Sequence, residues 1–205
     1  MTCIVAIRTD TTIAIAGDGM TSAGDWISGR STKKYIELPG GWIVANSGFT
    51  SFRELLAVGE KSLSLDGDVY ALCSSIRAYL KEVGFSSKPQ DRCGLPLYDL
   101  GVVIVNRGSP RMIVRYPDEV VARDEKNPWA NPPGIWVCAE DIWPRELGLD
   151  RPYGTGSGGS PGEGAAWAAL KAGWGPLSSV RQGVEAAIEY DLNSGGEIWS
   201  MEIAL

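Results

Sequence analysis

The chain contains no histidine, so any hydrolytic chemistry it carries must find its general base elsewhere. Ser-His-Asp catalysis, Cys-His catalysis and His-ligated metal sites are excluded within this chain. A lysine, a carboxylate or a free α-amine remains. Thr2 follows a single Met and precedes the run Cys3-Ile4-Val5-Ala6-Ile7. It is either the edge of a strand or a residue destined to become the first of the mature protein. Asp18 sits in Gly17-Asp18-Gly19 and Lys34 in the pair Lys33-Lys34; taken singly, these are an ordinary turn and a solvated surface dipeptide. The glycine-rich GTGSGG at 154–159 could let backbone N–H groups approach an anion. It matches neither the P-loop nor the dinucleotide fingerprint, and a tight turn into a helix is the simpler reading. Cys3, Cys73, Cys93 and Cys138 are scattered without a CxxC pair, which indicates neither a zinc site nor a redox dithiol. No metal is expected.

The elements that must position these residues have to come from 205 residues, enough for one domain with a substantial core. Apolar content of 44% and charged content of 21% are those of a globular chain. A net charge of −6 offers no surplus for binding phosphates, so no nucleic acid is expected as partner. No run approaches the roughly 18–20 apolar residues of a membrane span. Residues 1–10 supply neither the basic n-region nor the apolar h-region of a signal peptide. The expectation is a cytoplasmic protein without a membrane partner.

Along the chain, residues 3–8 and 12–16 read as an N-terminal hairpin, and 34–38 with 42–45 as a second across Pro39-Gly40-Gly41. Apolar spacing then changes to a helical period, predicting helices from about 52 to 63 and from 69 to 84. An apolar strand follows at 97–105, with a returning strand at 112–116. Residues 117–150 carry five prolines and three tryptophans and read as an ordered but irregular insertion. Helices are predicted at about 161–172 and 176–190, then a last strand at 197–203. The order is strands, two helices, strands, two helices, strand, with no internal repeat.

Together the markers say more than any one of them. Thr directly after Met1, AGDG near 17, the lysine pair near 34, SGF near 48, GSGG near 157 and DLNSGG near 191 keep an order that resembles the proteasome β-subunit family and its bacterial HslV-type peptidases. The likeness covers almost the whole chain and runs without a gap from Thr2 to Gly48. It implies an α+β fold, the four-layer αββα sandwich of N-terminal nucleophile hydrolases, over a single domain of residues 1–205. It implies a threonine peptidase in which removal of Met1 exposes Thr2. The Thr2 hydroxyl would be the nucleophile, and its own α-amine, with an ordinary pKa of about 7.7–8.0, the base.

Other roles follow from the same resemblance. Lys34 is the active-site lysine, Asp18 the carboxylate that holds it, and Gly48 the backbone donor to the oxyanion. Ser157, Asp191 and Ser194 form a supporting cluster beside the Thr amine; their D-x-x-S spacing is more proteasome-like than HslV-like. Substrate would lie as a strand between Thr21-Ser22 and residues 48–50, with Thr21, Ser22, Thr32, Ile36, Asn46 and Thr50 as its contacts. These side chains offer no obvious charge selector. A homo-oligomeric ring or barrel, unfolded polypeptide as substrate and an ATP-driven unfoldase as partner are implied, with no cofactor in the chain itself.

The chain departs from the family pattern at the 117–150 insertion and at Cys3, which as the next strand residue should point away from the nucleophile. Two alternatives stand beside the peptidase: a structural ring subunit that retains Met1, and a small-molecule amidase of the same fold.

Overall fold

The structure, a computed structural model, describes residues 2–23, 26–85, 100–107, 134–138 and 142–205. Strands β1 (Ile4–Arg8) and β2 (Thr12–Gly17) form the expected first hairpin. A short hairpin, β3 (Thr21–Ala23) and β4 (Trp26–Gly29), follows. The strands β5 (Tyr35–Leu38) and β6 (Trp42–Gly48) make the second expected hairpin. Helices α1 (Ser51–Val58) and α2 (Val69–Glu82) come next, then β7 (Leu100–Asn106), β8 (Gly134–Cys138), β9 (Pro144–Glu146) and β10 (Tyr153–Thr155). Helices α3 (Gly159–Lys171) and α4 (Pro176–Tyr190) and strand β11 (Trp199–Ala204) complete the order.

Two antiparallel sheets result, β10-β1-β2-β11 and β5-β6-β7-β8-β9, beside the small β3–β4 ribbon. The pleat sorts each strand's residues between two cores. In β1, Ile4 and Ala6 face the second sheet, while Val5 and Ile7 face α3 and α4. In β6, Ile43 and Ala45 face the first sheet, while Trp42 and Val44 pack with Phe52, Leu56, Leu72 and Ile76 of α1 and α2. Both faces of both sheets are buried, which is why these strands read as unbroken apolar runs rather than alternating ones. The molecule is a four-layer αββα sandwich, as expected.

Local signals account for the ends of several elements. The Asp68 carboxylate accepts a hydrogen bond from the Ala71 N–H at 2.8 Å and caps α2. Helix α1 stops at Val58, five residues short of the expected end at 63: Gly59 closes it with an N–H to Leu55 O bond, and residues 60–62 form a separate 3₁₀ turn.

The reading of 117–150 as one irregular insertion is corrected over its second half, where residues 134–138 are β8, paired with β7, and 144–146 are β9. Pro132, Pro133 and Pro144 break the local pattern. Five residues between such breaks carry little signal of their own, and the strand is specified by its register against β7. The predicted strand at 112–116 and residues 117–133 lie outside the described residues.

Candidate active site

Thr2 leads into β1 at the end of the first sheet where β2 also finishes. The register Ile4–Gly17 brings the residue after β2, Asp18, beside the start of β1. The Asp18 N–H donates to Cys3 O at 3.1 Å, and the Cys3 N–H donates to Asp18 Oδ1 at 2.8 Å. Lys34 arrives from the other sheet, just before β5, where its carbonyl accepts from the Asn46 N–H. The two sheet ends are held together by the rings of Tyr35 and Trp199, 5.1 Å apart. Alternation separates the lysine pair: Lys33 lies over the Tyr35 ring and is exposed, whereas Lys34 turns inward.

Lys34 Nζ donates to Thr2 Oγ1 and to Asp18 Oδ1, each at 2.7 Å. Asp18 Oδ2 accepts from the N–H groups of Gly195 at 3.0 Å and Met20 at 3.3 Å. All three side chains are sealed from solvent, Asp18 at 0%, Lys34 at 1% and Thr2 at 3% exposure. A buried ion pair persists only when further hydrogen bonds satisfy its charges, and three backbone donors supply them. Burial lowers the pKa of Lys34 from the ordinary lysine value; Asp18 opposes that shift without cancelling it, and the neighbouring charge of Arg53 adds to it. An ammonium of this kind polarises the hydroxyl it touches and stabilises an alkoxide there.

A second polar cluster lies against residues 2–3 from the other side. Asp191, at the end of α4, accepts at Oδ2 from Ser157 Oγ (2.6 Å) and Ser194 Oγ (2.7 Å), and at Oδ1 from the Asn193 N–H (3.2 Å). Burial pushes the Asp191 pKa up, but these hydrogen bonds outweigh it and leave the carboxyl below its ordinary value. Contact with β1 runs through the loop at 156–158. The Gly158 N–H reaches Thr2 O at 3.4 Å. Gly156 has φ +89°, and a Cβ there would stand 1.9 Å from Thr2 O, so only glycine fits.

Solved structures resemble the chain over nearly its full length. BPH from Thiobacillus denitrificans is 25% identical over 99% of this chain and 98% of its own, with a TM-score of 0.74. The same protein in complex with epoxomicin gives 25% identity, the same coverage and a TM-score of 0.72. Eukaryotic HslV from Trypanosoma brucei, 15% identical over 99% of both chains with a TM-score of 0.65, shares the fold. No family model and no curated protein sequence matches the chain.

The chain is similar in fold to HslV and to the Thiobacillus protein.

Its fold is that of these neighbours, and the residues named for the site from sequence can be located on it. Thr2, Asp18 and Lys34 are in direct contact, and Ser157, Asp191 and Ser194 form one hydrogen-bonded cluster. Gly48 ends β6 with φ +91°, next to Ser47, whose Cβ lies 3.2 Å from the Cβ position of Gly156. Thr21 and Thr32 converge: their Oγ1 atoms lie 2.8 and 3.1 Å from the point a Cβ would take on Gly29. Asn46 is buried, Ile36 is half-buried against the α1–α2 core, and Thr50 is exposed at the start of α1. Ser22 is in β3, paired with Ile27; Met1 lies outside the described residues.

Cys3 faces α3 and α4, donates its thiol to Gly158 O at 3.3 Å, and has a pKa pushed up to about 12, chiefly by burial. It is not an available nucleophile. Five contributors were not read from the sequence. The N–H groups of Met20 and Gly195 leave no side-chain signal. Ser47 on β6 and Thr155 on β10 share a 3.0 Å hydrogen bond that ties the two sheets beneath Thr2. Arg53 hid within an apolar helical pattern.

Among the described residues no group of His, Cys, Asp and Glu could hold a metal ion, and no helix is long and apolar enough to cross a membrane.

Proposed function

We propose that the chain is a threonine-type endopeptidase in which Thr2, made N-terminal by removal of Met1, is both nucleophile and base. The observation that carries this reading is the contact of Lys34 Nζ with Thr2 Oγ1 and Asp18 Oδ1, each at 2.7 Å and out of water. A lysine held charged against a threonine hydroxyl has no evident structural purpose that a shorter apolar side chain would not serve better.

The Thr2 α-amine takes the hydroxyl proton, directly or through a water, as Oγ1 attacks the peptide carbonyl. Lys34 stabilises the forming alkoxide, and the Gly48 N–H stabilises the oxyanion. The protonated amine then delivers its proton to the leaving nitrogen, the C–N bond breaks, and an ester on Oγ1 remains. Water, deprotonated by the same amine, hydrolyses that ester and restores Thr2. Asp18 holds the lysine. Asp191, Ser157 and Ser194 orient the amine end of Thr2.

Substrate lies extended between Thr21-Ser22 and residues 48–50, with Thr32, Ile36, Asn46 and Thr50 beside it. The enzyme works in a homo-oligomeric ring or barrel on unfolded polypeptide delivered by an ATP-driven unfoldase, in the cytoplasm and without a cofactor. The epoxomicin complex of the similar Thiobacillus protein supports the catalytic part.

The test is hydrolysis of a panel of fluorogenic peptides by the wild type and Thr2→Ala, with assembly size read by light scattering. The wild type should cleave, and Thr2→Ala should not while keeping the same size. Near-wild-type activity in Thr2→Ala would overturn the nucleophile assignment, and a monomer in solution would overturn the ring.

A further inference from the structure

Asn46 lies two residues before Gly48, and its side-chain amide is committed inward. Nδ2 donates to Phe49 O at 2.9 Å and Ser47 O at 3.2 Å, which aims Oδ1 at α1. There it accepts from Arg53 Nη1 at 3.3 Å. Arg53 stands in the first turn of α1, three residues beyond Thr50, and is half-buried. Among the described residues no carboxylate lies within ion-pair distance of it. Its guanidinium has five N–H donors in a planar fork, and only one is occupied by Asn46.

The charge count around Thr2 sharpens the point. Lys34 and Arg53 are two cations near each other, since the charge of Arg53 bears on Lys34. Asp18 is the carboxylate in contact with Lys34, and its oxygens already accept from Cys3, Met20, Gly195 and Lys34. Among the described residues Arg53 makes no ion pair, and the charge of its helix neighbour Glu54 only partly offsets what burial does to its guanidinium.

We propose that Arg53, fixed by Asn46, selects an aspartate or glutamate side chain at the substrate residue preceding the cut. The acidic side chain completes the guanidinium fork with a charge-assisted hydrogen bond and neutralises its charge. This role rests on the peptidase reading above. An arginine that merely tied α1 to β6 would affect all substrates alike, so selectivity separates the two roles.

The experiment compares kcat/KM for fluorogenic peptides identical except for Glu, Leu or Arg before the cut. Taking the Glu-to-Leu ratio within one preparation cancels differences in folded fraction. The wild type should favour Glu over Leu by at least about 10-fold. Arg53→Gln should lower the ratio by about 10- to 100-fold, the range of a hydrogen bond to a charged group. Arg53→Lys should restore part of it, and Arg53→Glu should shift preference toward the Arg peptide. A wild type that favours Leu or Arg, or a ratio unmoved in Arg53→Gln, would overturn the role of Arg53 while leaving the peptidase intact. No cleavage of any peptide together with no epoxyketone adduct on Thr2 would instead overturn the peptidase reading, and this one with it.

Discussion

Asp18 is sealed from solvent and shares its oxygens among Lys34 and three backbone N–H groups. Asp191, partly exposed on the other side of residues 2–3, collects the hydroxyls of Ser157 and Ser194, and among the described residues its hydrogen-bond donors are uncharged. The first carboxylate fixes a charge and the second fixes hydroxyls. Breaking a buried ion pair by removing one partner leaves the other charge stranded, at a cost of about 3–5 kcal/mol. Removing a hydroxyl from a half-wet network costs about 1 kcal/mol, since water can replace it. The pair beside Lys34 should therefore dominate both folding and chemistry.

The largest effects should come from the buried side. Lys34→Ala should cut kcat/KM at least about 10³-fold, and should also lower unfolding free energy by about 3–5 kcal/mol in urea, because Asp18 stays buried without its cation. Thr2→Ala should match the loss of activity without that loss of stability. A Lys34→Ala protein as stable as the wild type would erase the distinction between the two carboxylates.

Next in size is Asp191→Asn, which should lower kcat/KM about 10- to 100-fold by loosening both serines. Ser194→Ala, at a 6% exposed position, should cost about 1 kcal/mol and a few-fold in rate, and Ser157→Ala, at an exposed one, less. If Ser157→Ala proved as damaging as Lys34→Ala, the supporting cluster would have to be placed in the chemistry itself.

The smallest effects are titrations, and their signs differ. Asp191 has a folded pKa below its unfolded one, so it adds stability above the ordinary carboxylate pKa of about 3.9 that is lost as pH falls through the folded value. Asp191→Asn should flatten that acid limb. Lys34 also has a folded pKa below its unfolded one, but it is a cation. Between the two values the unfolded chain holds the extra proton, so this term makes stability rise with pH toward about 10.4. The alkaline limb of kcat/KM should fall below the ordinary lysine pKa. Arg53→Gln, which removes a repelling charge, should move that limb upward.

How far this was legible in the sequence follows from where the information sits. The β1–β2 and β5–β6 hairpins and helices α2 and α4 carry their own apolar periods and stops, and were readable within a few residues. The β3–β4 ribbon at 21–29 is mostly polar and glycine-rich, so no period marks it. Strand β10 is three residues between Pro152 and Gly156 and exists through its register with β1. Thr2, Asp18 and Lys34, which meet in the structure, were named together only through the family resemblance of their motifs, since each taken singly reads as ordinary. Ser47 and Thr155, 108 residues apart, meet only once both sheets have formed. Arg53 was missed because helical spacing says which residues are buried, not that the Arg53 guanidinium would donate to Asn46 Oδ1 on β6.

The most direct measurement is the intact mass of the purified chain with and without a peptide epoxyketone, which requires a hydroxyl and a free α-amine on one residue. The account predicts a chain lacking Met1 that gains one adduct, and no adduct in Thr2→Ala. A chain that keeps Met1 and gains no adduct would contradict the claim that Thr2 is the nucleophile.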